Sequence, residues 1–202
     1  DERLFTRSRD SLDVLASSWS ADGKQLLFSE VSPNGENAIS HMAIAPPSEG
    51  QVLLRSESRS SFPAVSPNGR WMAYMSNVSG QSEIYVERYP ELGHRQRIST
   101  DGGTRPLWSH DGRELFFHSL DGRHLLAVLM KSSATGLGAG RPQVLFEAAI
   151  SIRGVGSRPY DVARDGRFFI LRDTETEKSG TPSNVAVVLN WFEELKRLVP
   201  AN

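Results

Sequence analysis

The chain has 202 residues, 38% of them hydrophobic, with 23 basic and 24 acidic side chains and a formal charge of −1. That length supports a core without staples, and the balanced charge gives no overall electrostatic reason to favour nucleic acid or an anionic membrane. Cysteine is absent, which excludes disulfides and thiolate metal sites, and no apolar stretch approaches the eighteen or so residues that cross a bilayer.

In chain order, DERLFTRSRD lacks the apolar segment of a signal peptide, and residues 3–8 within it predict a strand. A turn-and-strand unit then begins and recurs: SADGKQLLFS at 20–29, SPNGRWMAYM at 66–75, SHDGRELFFH at 109–118 and ARDGRFFILR at 163–172. Each holds Asp or Asn, then Gly, then a basic residue, then an apolar run. The turn glycines Gly23, Gly69, Gly112 and Gly166 lie 46, 43 and 54 residues apart. Asn-Gly and Asp-Gly predict type I′ hairpin turns, because both residues tolerate positive φ. Leu26/Phe28, Met72/Tyr74, Leu115/Phe117 and Phe168/Ile170 alternate with period two, as strands do. A shorter strand precedes each turn, carrying Trp19, Val65, Trp108 and Val162 four positions before the glycine.

Further strands fill the first three periods, at 37–44 and 51–56, 82–89 and 95–100, and 123–130 and 142–148. Residues 131–140, KSSATGLGAG, read as a loop. The fourth period offers only PYDVA, RFFILR and SNVAVVLN, so the strand at 3–8 would complete it. Four strands per period predict an all-β fold, a β-propeller of four-stranded blades with about four blades present. The strand phase fits a closed four-bladed ring and equally a piece of a larger propeller, which is the preferred expectation. An open arc would self-associate. The expected division is 1–190 for the blades and 191–199 for a short C-terminal helix packed on them. In NWFEELKRLVP, Asn190 is the N-cap, Glu193 the capping-box partner, and Phe192, Leu195 and Leu198 or Val199 the apolar stripe.

SSWSADGKQLLFS, PAVSPNGRWMAYMSNVSGQSEIYVERYP and PLWSHDGRELFFHSLDG resemble the TolB-like, WD40-like β-propeller repeats of bacterial proteins. The fourth copy departs from the pattern with Ala163 where the others have serine. The closing VVLNWFEELKRLVP is similar to the end of propellers attached to bacterial membrane-anchored serine/threonine kinases. That resemblance implies a noncatalytic sensory or protein-interaction role in a periplasmic or extracytoplasmic setting. A protein or peptide partner is implied, with neither nucleic acid nor membrane contacted by this region. The alternatives are a noncatalytic gating propeller of a peptidase, or a metal-assisted hydrolase with a site in its channel.

No kinase glycine loop, HRD, DFG or GxSxG motif is present, and GLGAG at 136–140 does not match a phosphate-binding loop. His118 and His124 flank the Asp121-Gly122 turn and could face each other, with His110 nearby. Two imidazoles without a third ligand make a poor zinc site. His41 and His94 join no constellation. Asp22, Asn68, Asp111 and Asp165 are read as turn formers. No catalytic, cofactor-binding or metal residues are therefore named, and no cofactor is expected. The exposed loops VSPNGEN in the 30s, around Ser79-Gly80, and 131–140 are the candidate partner surfaces.

Overall fold

In a computed structural model of the chain, the structure describes residues 13–31, 36–56, 58–133, 136–147, 158–171 and 185–188. These form four antiparallel sheets in sequence order. Strands β1 (Asp13–Trp19), β2 (Gln25–Val31), β3 (Asn37–Ala43) and β4 (Gln51–Ser56) make the first. The second holds β5 (Ser60–Val65), β6 (Trp71–Ser76), β7 (Glu83–Arg88) and β8 (Gln96–Arg97). The third holds β9 (Thr104–Trp108), β10 (Glu114–His118), β11 (His124–Ser132), β12 (Leu137–Ala139) and β13 (Gln143–Glu147). In the last, β14 (Tyr160–Val162), β15 (Phe168–Leu171) and β16 (Val185–Val188) lie side by side.

Within the described residues the expected strands are present, that at 95–100 reduced to Gln96–Arg97, and the propeller expectation is corrected. The described strands form four separate open sheets of four, four, five and three strands, with no closed barrel and no ring of blades. Among the described residues, no strand of the first sheet pairs with a strand of the last. The loop expected at 131–140 is corrected too. β11 runs to Ser132 and turns back into β12, pairing Met130 with Ala139 and Ser132 with Leu137. That hairpin adds a strand the four-per-period count does not contain. The described residues include no helix. The strand expected at 3–8 and the helix expected at 191–199 lie outside the described residues.

Consecutive sheets pack through faces that are apolar on both sides. On β6, Trp71, Ala73 and Met75 join Trp108, Leu115, Phe117 and Val128 of the third sheet, while Met72 and Tyr74 turn to Leu27 and Ile39 of the first. On β10, Phe116 faces the other way and meets Tyr160, Val162 and Phe168. Runs such as WMAYM and LFF are apolar at successive positions because both faces of these strands are covered.

The turns are held differently from the type I′ expectation. Gly23 N donates to Ser20 O at 2.9 Å, Gly69 N to Ser66 O at 2.8 Å and Gly112 N to Ser109 O at 3.0 Å. Each of these glycines has φ near +70°, whereas the residue before it does not have positive φ. The geometry is therefore a turn closed by a single left-handed glycine, where a Cβ would be strained. The serine and acid lock it. Ser109 Oγ donates to Asp111 Oδ1 at 2.7 Å and accepts from Glu114 N at 2.9 Å, while Asp111 Oδ1 accepts from Arg113 N at 3.0 Å. The same three bonds recur at Ser20/Asp22, Ser66/Asn68 and Ser119/Asp121. Ala163 has no hydroxyl, and its loop closes one residue tighter, Ala163 N donating to Arg167 O at 2.8 Å.

Ser119 and the Arg123 amide hold the Asp121 carboxyl below its ordinary range, and Ser20 and the Lys24 amide do the same for Asp22. A depressed carboxyl contributes stability above its unfolded pKa and loses it as pH falls through the folded value, so these turns loosen in acid. At neutral pH, Asp111→Ala should cost about 1 kcal/mol, the usual loss for a capping acceptor. Urea unfolding of the variant beside Arg141→Ala, outside any of these turns, checks it; equal midpoints would refute the lock.

Candidate functional site

The leading strands β5 and β9 each carry a bulge at the same point. The register slips between Ser61 and Ala64 on β5, and between Phe116 and His118 opposite β9. At these bulges Phe62 has φ +58° and Arg105 φ +54°. A bulky residue in the left-handed region is an outlier that the surroundings must hold in place, and a bulge re-aims its side chain. Here both are re-aimed toward one point, with the Arg105 guanidinium 5.0 Å from the Phe62 ring centroid.

Tyr160 at the start of β14 completes the arrangement. Its hydroxyl donates to Arg105 O at 2.7 Å, and its ring stacks on His118 with centroids 4.6 Å apart. His118 is 0% exposed, and neither of its ring nitrogens has a hydrogen-bond partner. Burial, reinforced by the Arg105 charge, pushes the imidazole down to about 3, so it is neutral at physiological pH. Two residues before Tyr160, Arg158 Nη2 donates to Ser17 O of β1 over a long 3.4 Å. Its Nε is buried without a partner. Arg59 lies just before β5, its carbonyl accepting from Asn77 N at 3.1 Å. Burial lowers the Arg105 guanidinium, and the like charge of Arg59 acts in the same direction.

Apart from His118, weighed only as half of a histidine pair, sequence pattern singles out none of these residues, yet a signal exists. Arg59, Arg105 and Arg158 stand in SRSSF, TRPLW and SRPYD, each just before or at the start of a leading strand. The histidine pair expected across the Asp121-Gly122 hairpin does not converge. His118 pairs with Leu125, and the next rung joins Ser119 to His124, so the two imidazoles lie on opposite faces. His124 instead lies 3.9 Å from Asp121 and 3.8 Å from Glu147. His110 meets the Val162 carbonyl at 2.9 Å, and His41 meets Gln25 at 2.5 Å. Among the described residues no three His, Asp or Glu side chains group as metal ligands.

At the same end of the sheets, the turns at Asn77–Gly80 and Ser119–Gly122 present Val78 and Leu120, 45% and 43% exposed. Of the other candidate loops, residues 32–35 and 134–135 lie outside the described residues. Beside the Ser119–Gly122 turn is a cleft of about 250 Å³ lined by Ser99, Gly102, Phe117, Ser119, His124 and Leu126. Its back wall is fixed by Glu83, 1% exposed. The Glu83 carboxylate accepts from Ser99 Oγ, from Gly102 N at 3.1 Å and from Gln81 Nε2 at 2.8 Å. Glu83→Ala should cost about 2–3 kcal/mol, since it strands buried donors. Hydrogen exchange at Gly102 checks the cause: unchanged protection there would show that Glu83 does not anchor the connector.

No family model matches the chain, and no curated protein matches it. Solved structures do. TolB from Acinetobacter baumannii is 17% identical with a TM-score of 0.63, over 84% of this chain and 40% of that one. A protein assigned as TolB from Agrobacterium tumefaciens is 25% identical with a TM-score of 0.54, over 70% of this chain and 51% of that one. A puromycin-hydrolyzing peptidase from Mycobacterium tuberculosis is 19% identical with a TM-score of 0.56, over 75% of this chain and 27% of that one. The chain thus spans about half the length of these relatives or less. Its all-β fold is shared with TolB-like proteins and with a region of a hydrolase.

Proposed function

We propose that this chain is a noncatalytic protein-interaction region of a larger extracytoplasmic protein, gating access to or docking partners for its other parts. The observation that carries the reading is the rim. Two equivalent turn tips, one locked by the Ser119–Asp121 pair, offer exposed Val78 and Leu120, with a cleft beside the second turn and a group of arginines at the same end. Rigid hairpins with apolar tips bind partners without a large ordering cost. The limited share of the peptidase chain that this fold covers supports a gating role beside a hydrolase. Attachment to a serine/threonine kinase, as a sensor, rests on the VVLNWFEELKRLVP motif alone.

The test places a photo-cross-linking residue at Val78, at Leu120 and, as a control, at Lys131 of the parent protein in its own cells. We expect one protein, identified by mass spectrometry, to cross-link from 78 and 120 and not from 131. Absence of any such adduct, or turnover of peptide or oligosaccharide by the purified chain, would overturn the reading.

A further inference from the structure

We infer that the rim carries an oxyanion site, in which the guanidiniums of Arg105 and Arg158, with Arg59 at its edge, take a carboxylate or phosphate group. The inference rests on the interaction reading above and names what the partner or ligand must present. Three cations are brought to one end of the leading strands, on three different sheets, by local devices rather than by chance surface placement. Arg105 sits at a left-handed bulge and is held over Phe62 at 5.0 Å, with Tyr160 gripping its carbonyl at 2.7 Å. Arg158 is drawn across to Ser17 by a 3.4 Å bond while its Nε stays buried without a partner. His118, 0% exposed, adds two ring nitrogens without partners, directly against Tyr160.

Buried donors without acceptors are costly, as at Arg158 Nε and in the His118 ring. An oxyanion supplies the missing acceptor. A planar or tetrahedral oxyanion accepts from a guanidinium fork through two parallel bonds, and a neutral imidazole can donate a further one. The nearest acid on β14, Asp161, is turned to its own strand and accepts from Val162 N at 2.9 Å. The alternating pleat places it on the face opposite Tyr160. A metal cation is disfavoured by the same charges, and an apolar ligand would leave Arg158 Nε unsatisfied.

The site can be read directly from the arginine Nε–H resonances of the whole chain, labelled with 15N-arginine. The probes are N-acetyl-triglycine, its C-terminal amide, and inorganic phosphate, at constant ionic strength. Saturable shifts at Arg158 and Arg105 with N-acetyl-triglycine and not with the amide would assign a peptide carboxylate. Stronger saturation by phosphate would assign a phosphate group instead. In either case Arg158→Gln should weaken binding by about tenfold or more. Arg59→Gln, at an exposed position, should weaken it about two- to fivefold and guards against a misfolded first variant. No saturable shift up to about 20 mM probe, or equal shifts at the Asp165-paired Arg167, would overturn the site. If the anions fail while Val78 still cross-links a partner, the interaction reading stands without this site. The converse result would leave an anion site on a chain that docks no protein.

Discussion

Trp108→Ala should destabilise the chain by about 3–5 kcal/mol, whereas Trp19→Ala should cost less than about 1 kcal/mol. The two tryptophans occupy the same place in their repeats, four residues before a turn glycine. Their surroundings differ. Trp108 is 5% exposed, lies among Ala64, Trp71, Leu115 and Phe117, and donates Nε1–H to Ala64 O at 3.0 Å. Removing it opens a cavity between the second and third sheets and loses the indole bond to Ala64 O. Trp19, on β1, is 53% exposed, because no described sheet precedes its own. Chemical denaturation of the two variants, followed by far-ultraviolet circular dichroism, measures both costs. Equal losses would mean that Trp19 is covered in solution by something that β1 does not meet in this fold. Trp108→Phe, which keeps much of the packing and loses the Ala64 bond, should fall between them.

This pair also marks how far the sequence could be read. Local chemistry is legible because it is written within a few residues: the Ser-x-Asp-Gly turns, the alternation in WMAYM, and the spacing of the strands that follow. What lies between repeats is less so. Phe116 and Leu115 are adjacent letters, yet they belong to cores on opposite sides of one sheet. The type I′ expectation failed at Asp22 and Asp111 because a serine three residues before the glycine supplies a hydroxyl, letting the acid keep negative φ. The propeller expectation failed at a different level. Repeats specify sheets, but ring closure depends on which faces meet, and β12 breaks the four-strand count. The site was the least legible part. Arg105, His118 and Tyr160 converge only through a bulge and a contact 55 residues apart, which no local pattern announces.

Acid should unfold the wild-type chain more steeply than a His118→Phe variant, and the difference should open between about pH 6.5 and 3. His118 faces Arg105 from β9 and Tyr160 from β14, with Arg158 leading into that strand, and its own cross-strand partner is Leu125. Its folded pKa of about 3 is well below the ordinary 6.5, so the unfolded chain takes up a proton that the folded one refuses. Stability from this group is therefore intact above about pH 6.5 and is lost as pH falls toward the folded value, by up to about 1.4 kcal/mol per unit. By pH 4.5 the loss amounts to about 2–3 kcal/mol. Phenylalanine keeps the stack on Tyr160 and removes two ring nitrogens without partners, so near pH 7 the variant should be as stable as wild type or slightly more so. Denaturation midpoints of both chains at several pH values give the comparison, and parallel profiles would show that the imidazole is not buried neutral. Phosphate supplies the link to the arginine site. An oxyanion beside the imidazole favours its protonated form and raises its folded pKa, so phosphate at constant ionic strength should flatten the wild-type slope and leave the phenylalanine variant's unchanged.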